Sequence, residues 1–214
     1  MSKLGRIRPR RLSASRRAVL AFFLFSMGSL AAPPGISSEA NDQSKSQLPT
    51  AKQTTLDLYV TAAEAYEMWK VAPDSVKIID VRTPEEYIFV GNADMAWKIP
   101  IAAQSDQWDA ENRQFPMQLL PDFVTRVQTI ADPDDTLLVM CRSGGRSAIA
   151  VNLLAEAGFE KVYTITDGME GDKLKDTNSI FDGQRVINGW KNSGLPWTYD
   201  VDPHRMVLPA RIEN

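Results

Sequence analysis

The chain has one cysteine and one histidine in 214 residues. A single thiol cannot form an internal disulfide, and zinc and iron–sulfur sites need more cysteine and histidine ligands than this sequence offers. We therefore expect no disulfide, no metal and no bound cofactor. His204 lies near the carboxyl terminus, far along the chain from Cys141, and we expect it to be a solvated side chain.

The first 31 residues contain no Asp or Glu, but they contain seven Lys or Arg and lead into the apolar run Ala18–Ala32. A basic start, a short apolar core and small residues at its end are typical of a secretory signal peptide. The run holds 15 residues, fewer than the ~20 that a spanning helix needs. We therefore predict a signal peptide over residues 1–31 and a periplasmic or secreted protein, with an amino-terminal membrane anchor as the alternative. Ser15-Arg16-Arg17 is compatible with twin-arginine export, so both the Sec pathway and the twin-arginine pathway stay open.

The chain after this leader lacks excess positive charge. Removal of the seven leader bases from the 24 Lys and Arg leaves 17 against 27 Asp and Glu, a formal net charge of about −10. Nucleic acid and anionic lipid surfaces bind basic patches, so we expect neither as a partner, and no stable membrane span after signal cleavage. A positive pocket in such an acidic protein must be formed by a few particular residues.

Composition divides the rest of the chain into three parts. Residues 32–54 are rich in Pro, Ser, Asn, Gln and Lys and have no apolar periodicity, which predicts a disordered linker. Residues 55–200 suit one domain of ordinary size that buries a core without disulfides. Residues 201–214 are assigned to a carboxyl-terminal tail.

Strand and helix patterns alternate along the domain. The predicted helices are Thr61–Lys70, Thr83–Val90, Met117–Ile130 and Ser147–Ala157. The predicted strands are Val76–Val81, Met95–Ile99, Thr136–Met140 and Val162–Ile165. This alternation indicates an α/β fold, an open parallel sheet with helices on both faces. Functional groups of such sheets gather outside the carboxyl ends of the strands.

Cys141 lies at such an end, directly after the predicted strand Thr136–Met140 and before a glycine-bearing loop and a helix. Unpaired amides in the first helical turn, the positive end of the helix dipole and two flanking guanidinium groups would favour the thiolate. Gly144 and Gly145 allow positive φ and leave space in which amides can converge on an anion. A small buried cysteine at a strand end is the alternative, and the two arginines and two glycines close by argue against it.

These residues also match a known family. The loop Cys141-Arg142-Ser143-Gly144-Gly145-Arg146-Ser147, with Asp80-Val81-Arg82 and Glu85-Glu86-Tyr87 upstream, resembles the rhodanese domain of sulfurtransferases over about residues 56–200. The resemblance implies a rhodanese-like α/β fold and a single-domain sulfurtransferase of the thiosulfate or persulfide type.

The predicted reaction begins with attack of the Cys141 thiolate on the outer sulfur of an anionic donor such as thiosulfate. A persulfide forms on Cys141, and sulfite is released. Arg142 and Arg146 are expected to bind the anionic end of the donor, and the hydroxyl of Ser147 or Ser143 could donate a hydrogen bond to the sulfur. Cyanide, a small thiol or the cysteine of a partner protein would then accept the sulfur.

Two other functions stay open. One is a non-catalytic sulfur-carrier or docking module, which receives sulfur from one protein and passes it to another. The intact loop from Cys141 to Arg146 argues for turnover instead. The other is a cysteine phosphatase or arsenate reductase, in which an arginine follows the nucleophile by six positions. That position is Ser147 here, and Arg146 comes one residue earlier. The smaller ring suits a single sulfur atom better than a tetrahedral oxyanion.

The upstream residues Asp80 and Arg82 have two possible roles, and so does one insertion later in the chain. Asp80 and Arg82 could orient the Cys141 loop by hydrogen bonds and an ion pair, or Arg82 could form a local salt bridge with Glu86 one helical turn along. The segment Asp172–Ile187 is absent from compact relatives. It could line the pocket and select the acceptor, or it could be surface decoration, and its bases are Lys173, Lys175 and Arg185.

Overall fold

The computed structural model describes residues 48–209. The predicted signal peptide 1–31 and residues 32–47 of the predicted linker lie outside the described residues, as do residues 210–214 of the predicted tail. Within 48–209, no helix is both long enough and apolar enough to cross a bilayer.

Seven strands and four α-helices make up the described domain. The strands are β1 Tyr59–Val60, β2 Val76–Asp80, β3 Trp97–Lys98, β4 Ala102–Gln104, β5 Met117–Leu119, β6 Thr136–Met140 and β7 Val162–Ile165. The α-helices are α1 Ala62–Val71, α2 Pro84–Val90, α3 Phe123–Gln128 and α4 Gly145–Glu156. Two 3-10 helices, Thr50–Lys52 and Pro203–Arg205, flank them.

The main sheet has five strands in the order β1-β7-β6-β2-β3, and all its neighbouring pairs are parallel. Strands β2 and β6 pair over their full length, from Val76 opposite Thr136 to Asp80 opposite Met140. Both strands therefore end at the same edge of the sheet. The predicted α/β fold is confirmed.

Side chains of the central strands alternate between two cores, as expected for a sheet covered on both faces. One core joins Ile79 and Val139 to side chains of α3 and α4. The other joins Ile78 and Leu138 to side chains of α1 and to the buried Trp190. Burial on both faces explains why β6 is apolar after Thr136 and why β2 has adjacent isoleucines at its centre.

The predicted helix over Met117–Ile130 is wrong in its first half. Met117–Leu119 form strand β5, antiparallel to β4, and the helix begins only at Phe123. Pro121 has no N–H and disfavours helical backbone at the residue before it, so a helix cannot run through this position without a break. The apolar pattern therefore belongs to two elements separated by Pro121.

Both ends of the described chain contact the domain. Residues 48–54, which the composition assigns to the linker, contain the 3-10 helix Thr50–Lys52, and the neighbouring Thr55 N–H donates to Asn152 Oδ1 of α4 at 2.9 Å. At the other end, Val207 N–H donates to Lys98 O of β3 at 3.0 Å, and Arg126 Nη1 donates to Val207 O. The tail thus lies along the β3 edge as far as residue 207.

Candidate active site

Cys141 is the first residue after β6, beside the end of β2. The Gly144 N–H donates to its Sγ at 3.2 Å, and Sγ is 3.7 Å from Ser147 Oγ. The cysteine is 2% exposed. The loop therefore curls around the sulfur and points a backbone donor at it, as the sequence predicts.

Ser147 connects this loop to a neighbouring strand. Its fully buried hydroxyl donates to Gly144 O at 2.9 Å and lies 2.8 Å from Thr164 Oγ1 of β7. Ser143, the other serine of the loop, is only partly buried. Of the two serines proposed as donors, only Ser147 lies beside the sulfur, and there its hydroxyl accepts from Sγ and donates to Gly144 O, so the predicted donation to the sulfur is wrong. Thr164 has no signal in the sequence, since a threonine in a strand is ordinary.

Gly144 and Gly145 differ in what the loop requires of them. Gly144 has φ +102°, and a Cβ built there would lie 2.4 Å from Thr166 O. Gly145 opens α4 without a positive φ, and the nearest atom to its Cβ would be Ala51 O at 4.0 Å. The sequence suggests the same role for both glycines, but only Gly144 is conformationally required.

Arg146 makes a two-point ion pair with Glu86. Its Nη1 and Nη2 each lie 2.7 Å from one carboxylate oxygen, and both side chains are largely buried. Burial alone would lower the pKa of Arg146, but the hydrogen bonds and charge of Glu86, with smaller effects of Cys141 and Asp80, raise it above its ordinary value. For Glu86, burial would raise the pKa, but the hydrogen bonds and charge of Arg146 outweigh burial. The pKa of Glu86 is therefore lowered below its ordinary value. The Arg146 charge is thus close to the sulfur but already shared with a carboxylate.

Arg142 has its own carboxylate, Glu170. Arg142 Nε is 2.9 Å from Glu170 Oε1, and the Glu170 N–H donates to Arg142 O at 2.9 Å. The arginine is about half exposed, whereas Glu170 is mostly buried. Both loop arginines therefore have acidic partners from distant segments, but Arg142 is paired only through Nε, whereas both Nη groups of Arg146 are engaged.

The Asp80–Arg82 pair is buried and local. Arg82 Nη2 is 2.6 Å from Asp80 Oδ2 and donates to Gly91 O at 2.9 Å, and neither ionic side chain is exposed. Burial lowers the pKa of Arg82, but the charge and hydrogen bonds of Asp80 outweigh this, and the pKa is raised. Tyr87 Oη donates to Arg82 O and Asp80 O at 2.6 and 2.9 Å. This network holds the turn between β2 and α2.

One of the two interpretations offered for these residues is wrong. Arg82 pairs with Asp80, not with Glu86, so the salt bridge one helical turn along is wrong. Glu86 instead makes the side-chain ion pair with the Cys141 loop, and it also caps α2 by accepting from the Thr83 N–H at 3.0 Å. Asp80 and Arg82 thus act on the Cys141 loop only indirectly, because they hold the turn between β2 and α2 from which Glu86 extends.

Residues 167–170 contact the backbone of the Cys141 loop, and the sequence did not predict them as site residues. Met169 N–H donates to Cys141 O at 2.8 Å, and a Cβ at Gly168 would lie 2.5 Å from the same oxygen. Asp167 accepts from the N–H groups of Ala62 and Gly189, and burial raises its pKa. Gly168, which follows Asp167 just after β7, is the available signal, because a glycine after a strand can mark a close backbone approach.

Lys52 is a further charged residue beside the Cys141 loop. Its Nζ lies 2.8 Å from Asp172 Oδ1, and its Cδ would lie 3.0 Å from a Cβ at Gly144. The 3-10 helix that contains Lys52 therefore packs beside the Cys141 loop and is tied to the first residue of the predicted insertion. No local pattern in the sequence indicates a contact across 120 residues.

The insertion Asp172–Ile187 folds back on itself beside this contact. Leu174 N–H donates to Gln184 O at 2.8 Å, and Arg185 Nη1 donates to Gly171 O at 2.6 Å. An open surface cavity of about 540 Å³ is lined by residues of the insertion. The base of the insertion adjoins Glu170 and Lys52, whereas the cavity is separate from the Cys141 loop.

Comparisons with known proteins agree with this architecture. A model of the rhodanese-like domain family matches residues 61–175. An uncharacterized protein of Rickettsia conorii is 29% identical over 140 residues, which cover 65% of this chain and 96% of that protein. Thiosulfate sulfurtransferase 16, chloroplastic, of Arabidopsis thaliana is 35% identical over 120 residues, covering 56% of this chain and 78% of that protein.

A solved structure from M. tuberculosis aligns with a TM-score of 0.49 and 26% identity, covering 66% of this chain and 96% of that one. The family match spans more than half of the chain and contains β2, α2 and the Cys141 loop. The chain therefore belongs to the rhodanese-like domain family.

Proposed function

We propose that this protein is a sulfurtransferase that moves sulfane sulfur from thiosulfate or a similar donor to a thiophilic acceptor through a persulfide on Cys141. The observation that carries the proposal is the contact of the Cys141 sulfur with the Gly144 N–H at 3.2 Å, at the start of a 12-residue helix. Membership of a family whose members include a thiosulfate sulfurtransferase supports it.

In the first half-reaction the Cys141 thiolate attacks the outer sulfur of the donor. A new S–S bond forms, the S–S bond of the donor breaks, and the electron pair of that bond leaves with sulfite. The Gly144 N–H and the positive end of the α4 dipole stabilise the negative charge that the sulfur carries. Because these donors are fixed by the fold, they do not have to reorganise during the reaction.

In the second half-reaction an acceptor lone pair attacks the outer sulfur of the persulfide. The bond to Cys141 Sγ breaks, Sγ keeps the electron pair, and the thiolate is regenerated. Cyanide, a small thiol or a cysteine thiolate of a partner protein has the required lone pair. No general base is needed once the cysteine is ionised.

A non-catalytic sulfur carrier is the second candidate. The observation that favours it is the 2% exposure of Cys141, which would protect a stored persulfide from small nucleophiles. A phosphatase or arsenate reductase is disfavoured, because Arg146 is bound to Glu86 at both ends of its guanidinium group and position 147 is serine.

We also propose that the protein acts in the periplasm or outside the cell. Residues 1–31 support this proposal by their basic start and short apolar core. Expression of the full chain in a Gram-negative host, followed by fractionation and amino-terminal sequencing, tests it. A start after Ala31 in the soluble periplasmic fraction is expected, and an uncleaved membrane-bound chain would favour the anchor.

The function is tested by intact-mass measurement after incubation with a sulfane donor alone, and by thiocyanate formation when cyanide is added. The wild type should gain the mass of one sulfur atom and turn over, and Cys141→Ser should do neither. A stable adduct without turnover by any acceptor would favour the carrier. Absence of both adduct and turnover would contradict the proposal.

A further inference from the structure

The amino-terminal segment 48–55 packs beside the Cys141 loop, although its composition is that of a linker and the family match begins only at residue 61. The N–H and the hydroxyl of Thr55 donate to Asn152 Oδ1 of α4 at 2.9 and 3.2 Å. Helix α4 is the helix into which the Cys141 loop leads. The segment is therefore fixed to the same helix as the loop.

Lys52 is the residue of this segment that reaches the loop. A Cβ built at Gly144 would lie 3.0 Å from Lys52 Cδ and 2.4 Å from Thr166 O. The aliphatic stem of Lys52 and the Thr166 carbonyl group thus fill the space beside Gly144 that a side chain would otherwise take. Only 14% of the Lys52 side chain is exposed, so its stem is packed against the protein.

The ammonium group at the end of this stem is held by Asp172. Lys52 Nζ lies 2.8 Å from Asp172 Oδ1. The Asp172 N–H donates to Asn188 Oδ1 at 2.7 Å, and Asn188 Nδ2 donates to Asp172 Oδ2 at 3.2 Å. Burial would raise the pKa of Asp172, but the hydrogen bonds of Lys52 and Asn188 outweigh it, and the pKa is lowered. The ion pair therefore fixes the far end of the Lys52 side chain.

Gly144 is the residue of the loop that most depends on its neighbours. Its N–H donates to Cys141 Sγ at 3.2 Å, and its φ is +102°. Glycine has no side chain that could be packed, and its backbone has more accessible conformations than that of any other residue. The direction of the Gly144 N–H therefore depends on the groups that lie against it, and Lys52 provides one of them from outside the loop.

We propose that Lys52 is a positioning residue of the active site, whose stem holds Gly144 so that the Gly144 N–H stays directed at the Cys141 sulfur. The proposal rests on the sulfurtransferase function proposed above. Lys52 does not touch the donor in this scheme, and its charge is matched by that of Asp172. It acts by contact, through an N–H that stabilises negative charge on the sulfur.

Three substitutions separate the contact from the charge. Lys52→Met keeps an unbranched stem and removes the ammonium group, whereas Lys52→Ala removes both. Lys70→Ala is the matched control, because Lys70 lies in α1 and also loses an ion pair, with Glu67 at 2.7 Å. Urea denaturation of each variant shows whether it is folded under the assay conditions.

Two measurements report on the role of Lys52. The first is the single-turnover rate of persulfide formation at saturating thiosulfate, followed by rapid-quench mass spectrometry. The second is amide hydrogen exchange at Gly144, followed by NMR without donor, which reports on the N–H bond to the sulfur whether or not the protein transfers sulfur. A change in stability alone would move neither measurement in the folded protein.

We expect Lys52→Ala to slow persulfide formation by roughly threefold to tenfold and to speed exchange of the Gly144 N–H by a similar factor. Lys52→Met should stay within about twofold of the wild type in both measurements, and Lys70→Ala should match the wild type. Should Lys52→Ala fail to fold, Asn152→Ala takes its place, since it releases the segment from α4 and should change both measurements in the same direction.

Unchanged rate and exchange in the folded Lys52→Ala variant, or in Asn152→Ala where that replaces it, would overturn the proposal. Equal effects of Lys52→Met and Lys52→Ala would overturn it as well, because the charge and not the contact would then matter. A slower rate with unchanged exchange at Gly144, or an equal change in Lys70→Ala, would do the same. If the wild type forms no persulfide with any sulfane donor, the proposed function is contradicted, and exchange at Gly144 alone decides whether Lys52 holds this residue.

Discussion

Glu86 and Arg146 lie 60 residues apart and meet in a two-point ion pair with both contacts at 2.7 Å. The pair joins the amino-terminal end of α2 to the first turn of α4, directly beside the loop that holds Cys141. Glu86 also accepts from the Thr83 N–H. One carboxylate therefore caps one helix and positions the other, so its loss should affect both stability and the loop.

Arg146→Leu tests how much the protein depends on this pair. The substitution leaves the Glu86 carboxylate largely buried without its cation, and we expect the free energy of unfolding to fall by about 2–4 kcal/mol. Urea denaturation of the purified variant measures this. Lys70→Leu is the comparison, because its pair with Glu67 is exposed on both sides and should contribute little to stability. Equal losses in the two variants would contradict the assignment.

The ionised form of Glu86 should also make stability depend on pH. Its pKa is lowered in the folded protein, so its stabilising contribution is complete above the pKa of the unfolded chain. The contribution is lost as the pH falls through the lower, folded value. The wild type should lose stability between about pH 5 and pH 3, and Glu86→Gln should lose less over the same range.

Thermal unfolding at a series of pH values measures this difference between wild type and Glu86→Gln. Glu85→Gln is the matched control, since Glu85 is the exposed neighbour in the same helical turn. Parallel stability curves for the wild type and Glu86→Gln would show that this carboxylate does not carry the acid sensitivity.

Gly144→Ala and Gly145→Ala should have opposite effects despite being adjacent. Alanine at 144 must adopt φ near +102° and place its Cβ against Thr166 O, so we expect a loss of about 2–4 kcal/mol and a disturbed loop. Alanine at 145 meets no close atom and improves helix propensity, so stability should stay equal or rise by a few tenths of a kcal/mol. Chemical denaturation and persulfide formation are the readouts, and similar losses at both positions would be inconsistent with the observed backbone.

Ser147→Ala should weaken both the loop and the chemistry. It removes the hydroxyl that lies 3.7 Å from Cys141 Sγ and 2.8 Å from Thr164 Oγ1. We expect a stability loss of about 1–2 kcal/mol. Because the Ser147 hydroxyl holds Gly144 O, the Gly144 N–H should also be positioned less well against the sulfur, and persulfide formation should slow by roughly tenfold. Rapid-quench mass spectrometry after addition of donor follows the rate. Ser143→Ala should change it little, and a larger effect at 143 than at 147 would reverse the roles assigned to the two serines.

Local rules account for the parts of the fold that could be predicted. Strands Thr136–Met140 and Val162–Ile165 have the predicted bounds, because short apolar runs between turn residues have few other solutions. Helices α1 and α2 begin after Thr61 and Thr83, and each has the capping box that its sequence indicates. The helix predicted across Pro121 is wrong because the proline breaks the helix, although the apolar spacing continues on both sides of it.

The candidate site also has a part that the sequence predicts and a part that it does not. The loop from Cys141 to Ser147 is contiguous, so its glycines, arginines and nucleophile could be read directly from the chain. The partners of its arginines, Glu86 and Glu170, lie in segments before and after it, and side-chain charge carries no information about which partner lies close. The sequence therefore predicted which groups lie around the sulfur. It did not predict that carboxylates from other segments pair with the two arginines.

By itself the sequence determined the α/β alternation, the family and the position of the single thiol at a strand end, because these depend on composition, periodicity and residues adjacent in the chain. Only the tertiary structure decided that Arg146 binds Glu86, that Arg142 binds Glu170 and that Lys52 lies against the loop. Such contacts form when parallel strands bring distant segments to one edge of a sheet, and their energies depend on distance and burial, which residue order does not specify.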